Sequence, residues 1–320
     1  MKIELNKIIC GDALSELKKL PDESIDCCIT SPPYFNLRNY QTKRQIGLEK
    51  TYQEYIAKLI AVFDEVKRVL KKEGTCFVNL GDTFNGNKIG NTNLKWVNIN
   101  TNSFKKKKQE MSKKSLMMIP ERFAIEMINQ KWILRNKLVW IKRNAMPENI
   151  KDRWKKAHEY IFFFTKSKKY YFNLDAIRTP HKPASIKRAE YEQGRNAFGL
   201  NPSSMGVKYQ GNKRYMGMPA RIVKLNPKGA VPPDYFLVNT NCSEHDGAKE
   251  HWATYPQDLI IPLLKAGCPE NGVILDMFVG SGTTGVVAKK MGRSYILIDI
   301  SEKYCEIARQ RIKATPTPLL

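Results

Sequence analysis

The sequence predicts an α/β protein with a largely parallel sheet wound on both faces, and three observations carry that reading. Apolar strands alternate with amphipathic helices over residues 2–80. Near residue 280 a strand runs into a glycine-rich turn, then a helix, then a second strand. Tyr160 to Thr165 is almost wholly apolar, as a strand covered on both faces must be.

The elements follow in order. Lys2 to Cys10 reads as a strand, Gly11-Asp12 as a turn, and the residues up to Leu20-Pro21 as a short amphipathic helix. Ile25 to Thr30 is a second strand, stopped by Ser31-Pro32-Pro33-Tyr34. From Tyr52 to Lys71, Tyr55, Ile56, Leu59, Phe63, Val66 and Leu70 share a helical face, and Glu73-Gly74 leads into a strand at Thr75–Leu80. Thr83 to Ser115 turns polar and carries Lys105-Lys106-Lys107-Lys108, which predicts a long mobile loop.

Pro120 to Gln130 then reads as a helix, with strands at Leu134–Ile141 and Tyr160–Thr165. Between about Arg178 and Gly247 periodicity is lost, and Pro, Gly, Asn and basic residues dominate, among them Arg188, Arg195, Lys208, Lys213, Arg214, Arg221, Lys224 and Lys228. That stretch predicts a loop-rich basic insertion. Regular structure returns with a helix at Gln257–Ala266, a strand at Val273–Asp276, a helix at Thr283–Lys290, a strand at Tyr295–Asp299 and a last helix at Glu302–Lys313.

Composition narrows the partners. The formal charge of +23 over 320 residues creates a field that attracts phosphate polymers, so nucleic acid is the expected partner, against the plainer reading of a lysine-rich soluble protein. No apolar run approaches the roughly 20 residues that cross a bilayer, and the N-terminus lacks the apolar core of a secretory signal, so no membrane association and a cytoplasmic setting are expected. Seven cysteines form no C-x-x-C pair and read as reduced; with four histidines, no metal site is expected.

Val273-Ile274-Leu275-Asp276 leads into Met277-Phe278-Val279-Gly280-Ser281-Gly282-Thr283-Thr284-Gly285, a G-x-G-x-x-G in the strand-turn-helix context that such a motif needs. The glycines let backbone approach a ligand, and Asp299 closes the next strand, placed to accept from ribose hydroxyls. A nucleoside-containing cofactor is favoured over an ordinary tight turn. Only Ser301 to Leu320 follow this unit, so the other strands must precede it, which excludes an N-terminal dinucleotide domain.

Ser31-Pro32-Pro33-Tyr34 closes an apolar strand and therefore lies at the ligand edge of an open sheet. Two prolines stiffen the turn and remove two N–H donors, leaving acceptors: the Ser31 hydroxyl and the Pro32 carbonyl. Two acceptors that bind the hydrogens of a base amino group favour its pyramidal form, from which the nitrogen attacks a sulfonium methyl in line. Tyr34 is placed to stack on an extruded base. Taken alone, the four residues also read as no more than a stiff turn.

Thr30-Ser31-Pro32-Pro33-Tyr34 upstream, Asp276 to Gly285 downstream and Gly11-Asp12 near the start together resemble the amino-methylating DNA methyltransferases of the β order, in which the catalytic motif precedes the cofactor motif. The resemblance covers most of residues 5–80, 120–175 and 250–315. It implies a seven-stranded sheet, S-adenosylmethionine as cofactor, double-stranded DNA as substrate, and a setting that admits a cognate restriction endonuclease. By resemblance, Ser31, Pro32, Pro33 and Tyr34 are the catalytic turn; Asp276, Phe278, Gly280, Gly282 and Thr283, with Thr30, form the cofactor loop; Asp299 holds the ribose and Asp12 the adenine amino group; and Tyr255, in His251-Trp252-Ala253-Thr254-Tyr255-Pro256, flanks the methionine end. Met277 and Asp299 depart from the Pro and Glu common at those positions.

On this reading residues 1–177 carry the catalytic turn, 178–247 form a target-recognition region, and 248–320 hold the cofactor. Asn196, Asn201, Gln210 and Asn212 are polar side chains of the kind that read base edges. Ser at the first position of the turn goes in that family more often with cytosine N4 than with adenine N6, so cytosine N4 is the expected target and adenine N6 the alternative. An RNA methyltransferase and an inactive DNA-binding relative are the competing classes.

Overall fold

The structure, a computed structural model, describes residues 3–40, 42, 44–86, 111–189, 225–240 and 255–316. The tetralysine, His251 to Thr254, and Asn196, Asn201, Gln210 and Asn212 lie outside the described residues.

The chain divides into two compact units, residues 1–173 with 234–320, and residues 174–233. In the larger unit, strand β1 (Lys7–Cys10) is followed by helix α1 (Ala13–Leu17), β2 (Ile25–Thr30), α2 (Tyr52–Val69), β3 (Leu70–Leu80), α3 (Ile119–Asn129), β4 (Ile133–Ile141) and β5 (His158–Thr165). After the smaller unit come β6 (Tyr235–Leu237), α4 (Gln257–Gly267), β7 (Val273–Asp276), α5 (Thr283–Lys290), β8 (Ser294–Asp299) and α6 (Glu302–Ala314). One sheet takes all eight strands, in the order β1-β8-β7-β2-β3-β5-β4-β6. Only β5 runs against its neighbours.

This is the expected α/β fold with one strand more than the seven expected. The extra strand, β6, comes from the stretch read as aperiodic; its three residues pair with Val139 to Ile141, too short a run to show a period. Two boundaries also move. β1 starts at Lys7 rather than Lys2, because Asn6 sits at a left-handed φ of 60° and its amide side chain accepts from Tyr295 N–H at 3.2 Å. Helix α2 stops at Val69, and Leu70 already pairs with Ile25, so β3 begins five residues before Thr75.

The helices take their places from local signals. Thr51 caps α2 by accepting the Glu54 N–H at 3.2 Å, and Lys67 and Arg68 close its last turn. Leu59, Phe63 and Val66 of α2 and Phe123 and Met127 of α3 bury one face of the sheet; Leu259, Leu263, Val287 and Ile312 of α4 to α6 bury the other. Cys27, Cys28, Cys76, Cys268 and Cys305 are buried free thiols. Among the described residues no helix is long and apolar enough to cross a membrane.

In the smaller unit Thr179 and Ala230 form an antiparallel bridge, and Asp175 pairs with both Arg178 and Lys228 at 2.7 Å. Gly229 takes a φ of 108° there, and a side chain would strike the Thr179 carbonyl.

Candidate active site

Because β5 alone is reversed, its start meets the ends of the other strands at one edge. That edge carries Asp12 after β1, Ser31 to Tyr34 after β2, Asn79 near the end of β3, Lys142 after β4, Glu159 at the start of β5, the glycine turn after β7 and Asp299 at the end of β8. Residues expected at the site from widely separated parts of the sequence therefore meet along one line.

On the glycine-turn side, Asp276 is 0 % exposed and fully engaged. Its Oδ1 accepts from the Thr30 hydroxyl at 2.7 Å and the Phe278 N–H at 3.1 Å; its Oδ2 accepts from the Tyr255 hydroxyl at 2.8 Å and the Thr284 hydroxyl at 2.6 Å. Burial pushes the Asp276 carboxyl above its ordinary value, and these donors offset part of that rise. The knot ties β2, β7, α5 and Tyr255 together, so Thr30, Tyr255 and Asp276 shape the turn from within.

Gly280 and Gly282 take φ values of 50° and 87°, in the left-handed region that favours glycine. A side chain at Gly282 would come within 2.9 Å of both Cα and Cβ of Ala308 on α6, so this glycine seats one helix against another. Arg311, also on α6, donates to the Ser281 carbonyl at 2.6 Å and hydroxyl at 2.7 Å, and reaches the buried Thr283 hydroxyl at 3.5 Å.

Asp299, at the end of β8, is tied to this turn. Its Oδ2 accepts from Gly280 N–H and its Oδ1 from Ser301 N–H, both at 2.9 Å. Burial raises its carboxyl to about 6 despite those two donors. Tyr40 and Tyr304 meet edge-on with ring centroids 6.1 Å apart, and the Asp299 carboxylate adds to the upward shift that burial gives both phenols. Asp12 caps α1, accepting Ser15 N–H at 3.0 Å and the Ser15 hydroxyl at 2.7 Å on the same oxygen.

The proline turn is anchored differently. The Tyr55 hydroxyl donates to the Pro33 carbonyl at 2.8 Å, whereas no donor among the described residues reaches the Pro32 carbonyl. Tyr34 lies with its ring against Gly81, where any side chain would overlap it, and its hydroxyl donates to Glu159 Oε2 at 2.6 Å. Asn79 Nδ2 donates to the Tyr34 hydroxyl at 2.7 Å and to Glu159 Oε2 at 2.9 Å, and lies 3.4 Å from Ser31 Oγ, too long for a strong bond. Lys142 pairs with the other oxygen of Glu159.

Burial alone would raise the Glu159 carboxyl, but Lys142 and the donors from Tyr34 and Asn79 hold it below the ordinary value, so it is a carboxylate at neutral pH. Tyr34 is pushed well above the usual phenol range by burial and by Glu159, so it stays a donor. Asn79 Oδ1, buried in the same cluster, has no partner among the described residues. A buried carboxylate, a tyrosine fixed at its hydroxyl and the partnerless Asn79 Oδ1 thus stand together beside Ser31.

Comparison with known proteins decides the family. The family model for N6/N4 DNA methylases matches residues 25–310. The chain belongs to that family. The methylase is 33 % identical to type II methyltransferase M.Cfr9I of Citrobacter freundii, covering 99 % of this chain and 92 % of that protein. It is 31 % identical to M.SmaI of Serratia marcescens over 96 % of this chain and 90 % of that one. Among solved structures, the cytosine-N4-specific PvuII DNA methyltransferase shares the fold with a TM-score of 0.63 at 19 % identity, over 95 % of this chain and 85 % of that one. The M1.HpyAVI–SAM complex does so with a TM-score of 0.54 at 16 % identity, over 96 % and 98 %.

Four contributors to the methylase's edge escape a motif reading: Asn79, Lys142, Glu159 and Arg311. Glu159 left a trace in the sequence, as an acid opening the otherwise apolar run Tyr160 to Phe164. Arg311 left none, since a cation in the last turn of a helix is ordinary.

Proposed function

We propose that this methylase transfers a methyl group to N4 of a cytosine extruded from double-stranded DNA, with S-adenosylmethionine as donor. What supports the reading is the proline turn, with Ser31 first and the Pro32 carbonyl without a donor among the described residues, beside a glycine turn that follows one strand-end acid, Asp276, and is tied to a second, Asp299. The residues fit a nucleoside sulfonium: Asp299 offers a carboxylate for ribose hydroxyls, Gly280 brings backbone close without a side chain, and Asp12 offers an acceptor for an adenine amino group. S-adenosylmethionine supplies an electrophilic methyl on a sulfonium.

The chain's own residues do the rest. Ser31 Oγ and the Pro32 carbonyl accept the two hydrogens of the base amino group and draw its lone pair out of ring conjugation. Asn79 Oδ1 is a further acceptor in the same cluster, and its lack of a partner is a cost of about 1–3 kcal/mol that a bound base relieves. Glu159 and Asn79 fix Tyr34 at its hydroxyl, which leaves the ring as a rigid platform for the base. The charge of +23 draws the DNA phosphates, and a restriction endonuclease of the same sequence specificity is the proposed counterpart in the cell.

Mass spectrometry of nucleosides from unmodified DNA methylated in vitro tests this. N4-methylcytosine is expected; N6-methyladenine alone moves the assignment to the other base, and methylation of RNA but not DNA removes the substrate reading.

A further inference from the structure

The loop at 142–157 joins β4 to β5 and belongs to the same edge as the proline turn, since Lys142 at its start pairs with Glu159, which holds Tyr34. It is a pinned loop. Lys142 N–H donates to the Ala157 carbonyl at 2.8 Å, Lys155 to the Ala145 carbonyl at 3.1 Å, and Lys156 to the Asp82 carbonyl. Arg153 pairs with Glu148 at 2.7 Å and lies over the Phe84 ring at 4.2 Å. Yet Trp154, between two of these anchors, is 94 % exposed, and Met146 is 78 % exposed.

An indole forgoes burial of its large apolar face when left in water, and here the pinned backbone holds it there among cations. Lys142, Arg143, Lys151, Arg153, Lys155 and Lys156 outnumber Glu148 and Asp152 along the loop. Cations suit phosphates and an indole face suits a base, so the loop complements a stacked polyanion. We propose that Trp154 is a wedge that enters the DNA duplex beside the target nucleotide and stacks where the extruded base has left. Extrusion breaks a base pair and two stacks, and an inserted aromatic restores part of the stacking. Trp154 contacts neither cofactor nor reacting atoms; it sets how readily the base leaves the helix.

This rests on DNA being the substrate, and the test separates the two claims. Wild-type protein first methylates unmodified genomic DNA, and sequencing gives its site. Two synthetic duplexes then carry that site, with the target base either paired or mispaired. Trp154→Ala is expected to lower single-turnover methylation of the paired duplex by about 10–100-fold, with less than about a 3-fold effect on the mispaired one. Trp154→Phe restores most of the rate, and S-adenosylmethionine affinity is unchanged in both variants. Wild-type rates on both duplexes, or equal losses on both, overturn the wedge. Equal losses accompanied by a dimer-to-monomer change in sedimentation assign Trp154 to a second copy instead. No methylation of any DNA by the wild type sinks the substrate reading, and the wedge with it.

Discussion

Both oxygens of Asp276 are met by donors, two to each, whereas Asn79, 6 % exposed, keeps an amide oxygen with no partner among the described residues. The two regions are neighbours on one sheet edge, and Asp276 and Asn79 are both buried, so solvent does not account for the difference between those two side chains. A closed network can only hold a shape; an open one can bind. Removing a group from the first should therefore damage folding, and from the second catalysis.

The largest effect is expected at Asp276. Asp276→Ala removes the shared acceptor of three buried hydroxyls and of the half-buried Phe278 N–H, of which only Tyr255 and Thr284 keep each other, at a cost of about 3–5 kcal/mol in chemical denaturation. A loss under about 1 kcal/mol would show that the knot does not hold the turn. Gly282→Val follows at about 2–4 kcal/mol, since it combines a positive φ with overlap on Ala308. Sequence alone gives this glycine a ligand-facing role. The packing gives it a helix-facing one, so its variant should lose stability even with no cofactor present.

Ser31→Ala works the other way. Its melting temperature and cofactor affinity should match wild type, while single-turnover methyl transfer falls by about 100-fold. An unchanged rate removes Ser31 from the chemistry, and a fall in melting temperature makes the proline turn part of the scaffold.

The same contrast explains what was legible in advance. Strands and helices with several turns or a full apolar run, such as Tyr52–Val69 and Ile25–Thr30, declare themselves by period. Tyr235–Leu237 has three residues and owes its place to pairing with β4, which no local pattern encodes. Ser31 and Asp276 stand in motifs because backbone shape and chemistry coincide there. Asn79 and Glu159 act through side chains 80 positions apart that only the antiparallel pairing of β3 and β5 brings together.

Asp299 lies between the two regimes, and pH resolves it. Its carboxyl accepts two N–H groups, as in a closed network, yet its value of about 6 says that those donors do not compensate its burial. With the folded value above the unfolded 3.8, the native state binds the proton more tightly, so this group favours folding at low pH and the benefit is lost as pH rises from about 4 to about 6. On the proposed reading, ribose hydroxyls donating to the ionised form would supply the missing compensation, so binding would prefer higher pH. S-adenosylmethionine affinity, measured by calorimetry, should therefore fall roughly tenfold from pH 7.5 to pH 5, where about nine-tenths of a group at 6 is protonated. Asp299→Asn should bind more weakly at pH 7.5 and lose that slope. If affinity in the wild type is flat across this range, Asp299 serves the turn alone and the ribose is held elsewhere; a slope that survives in Asp299→Asn points to a different titrating group.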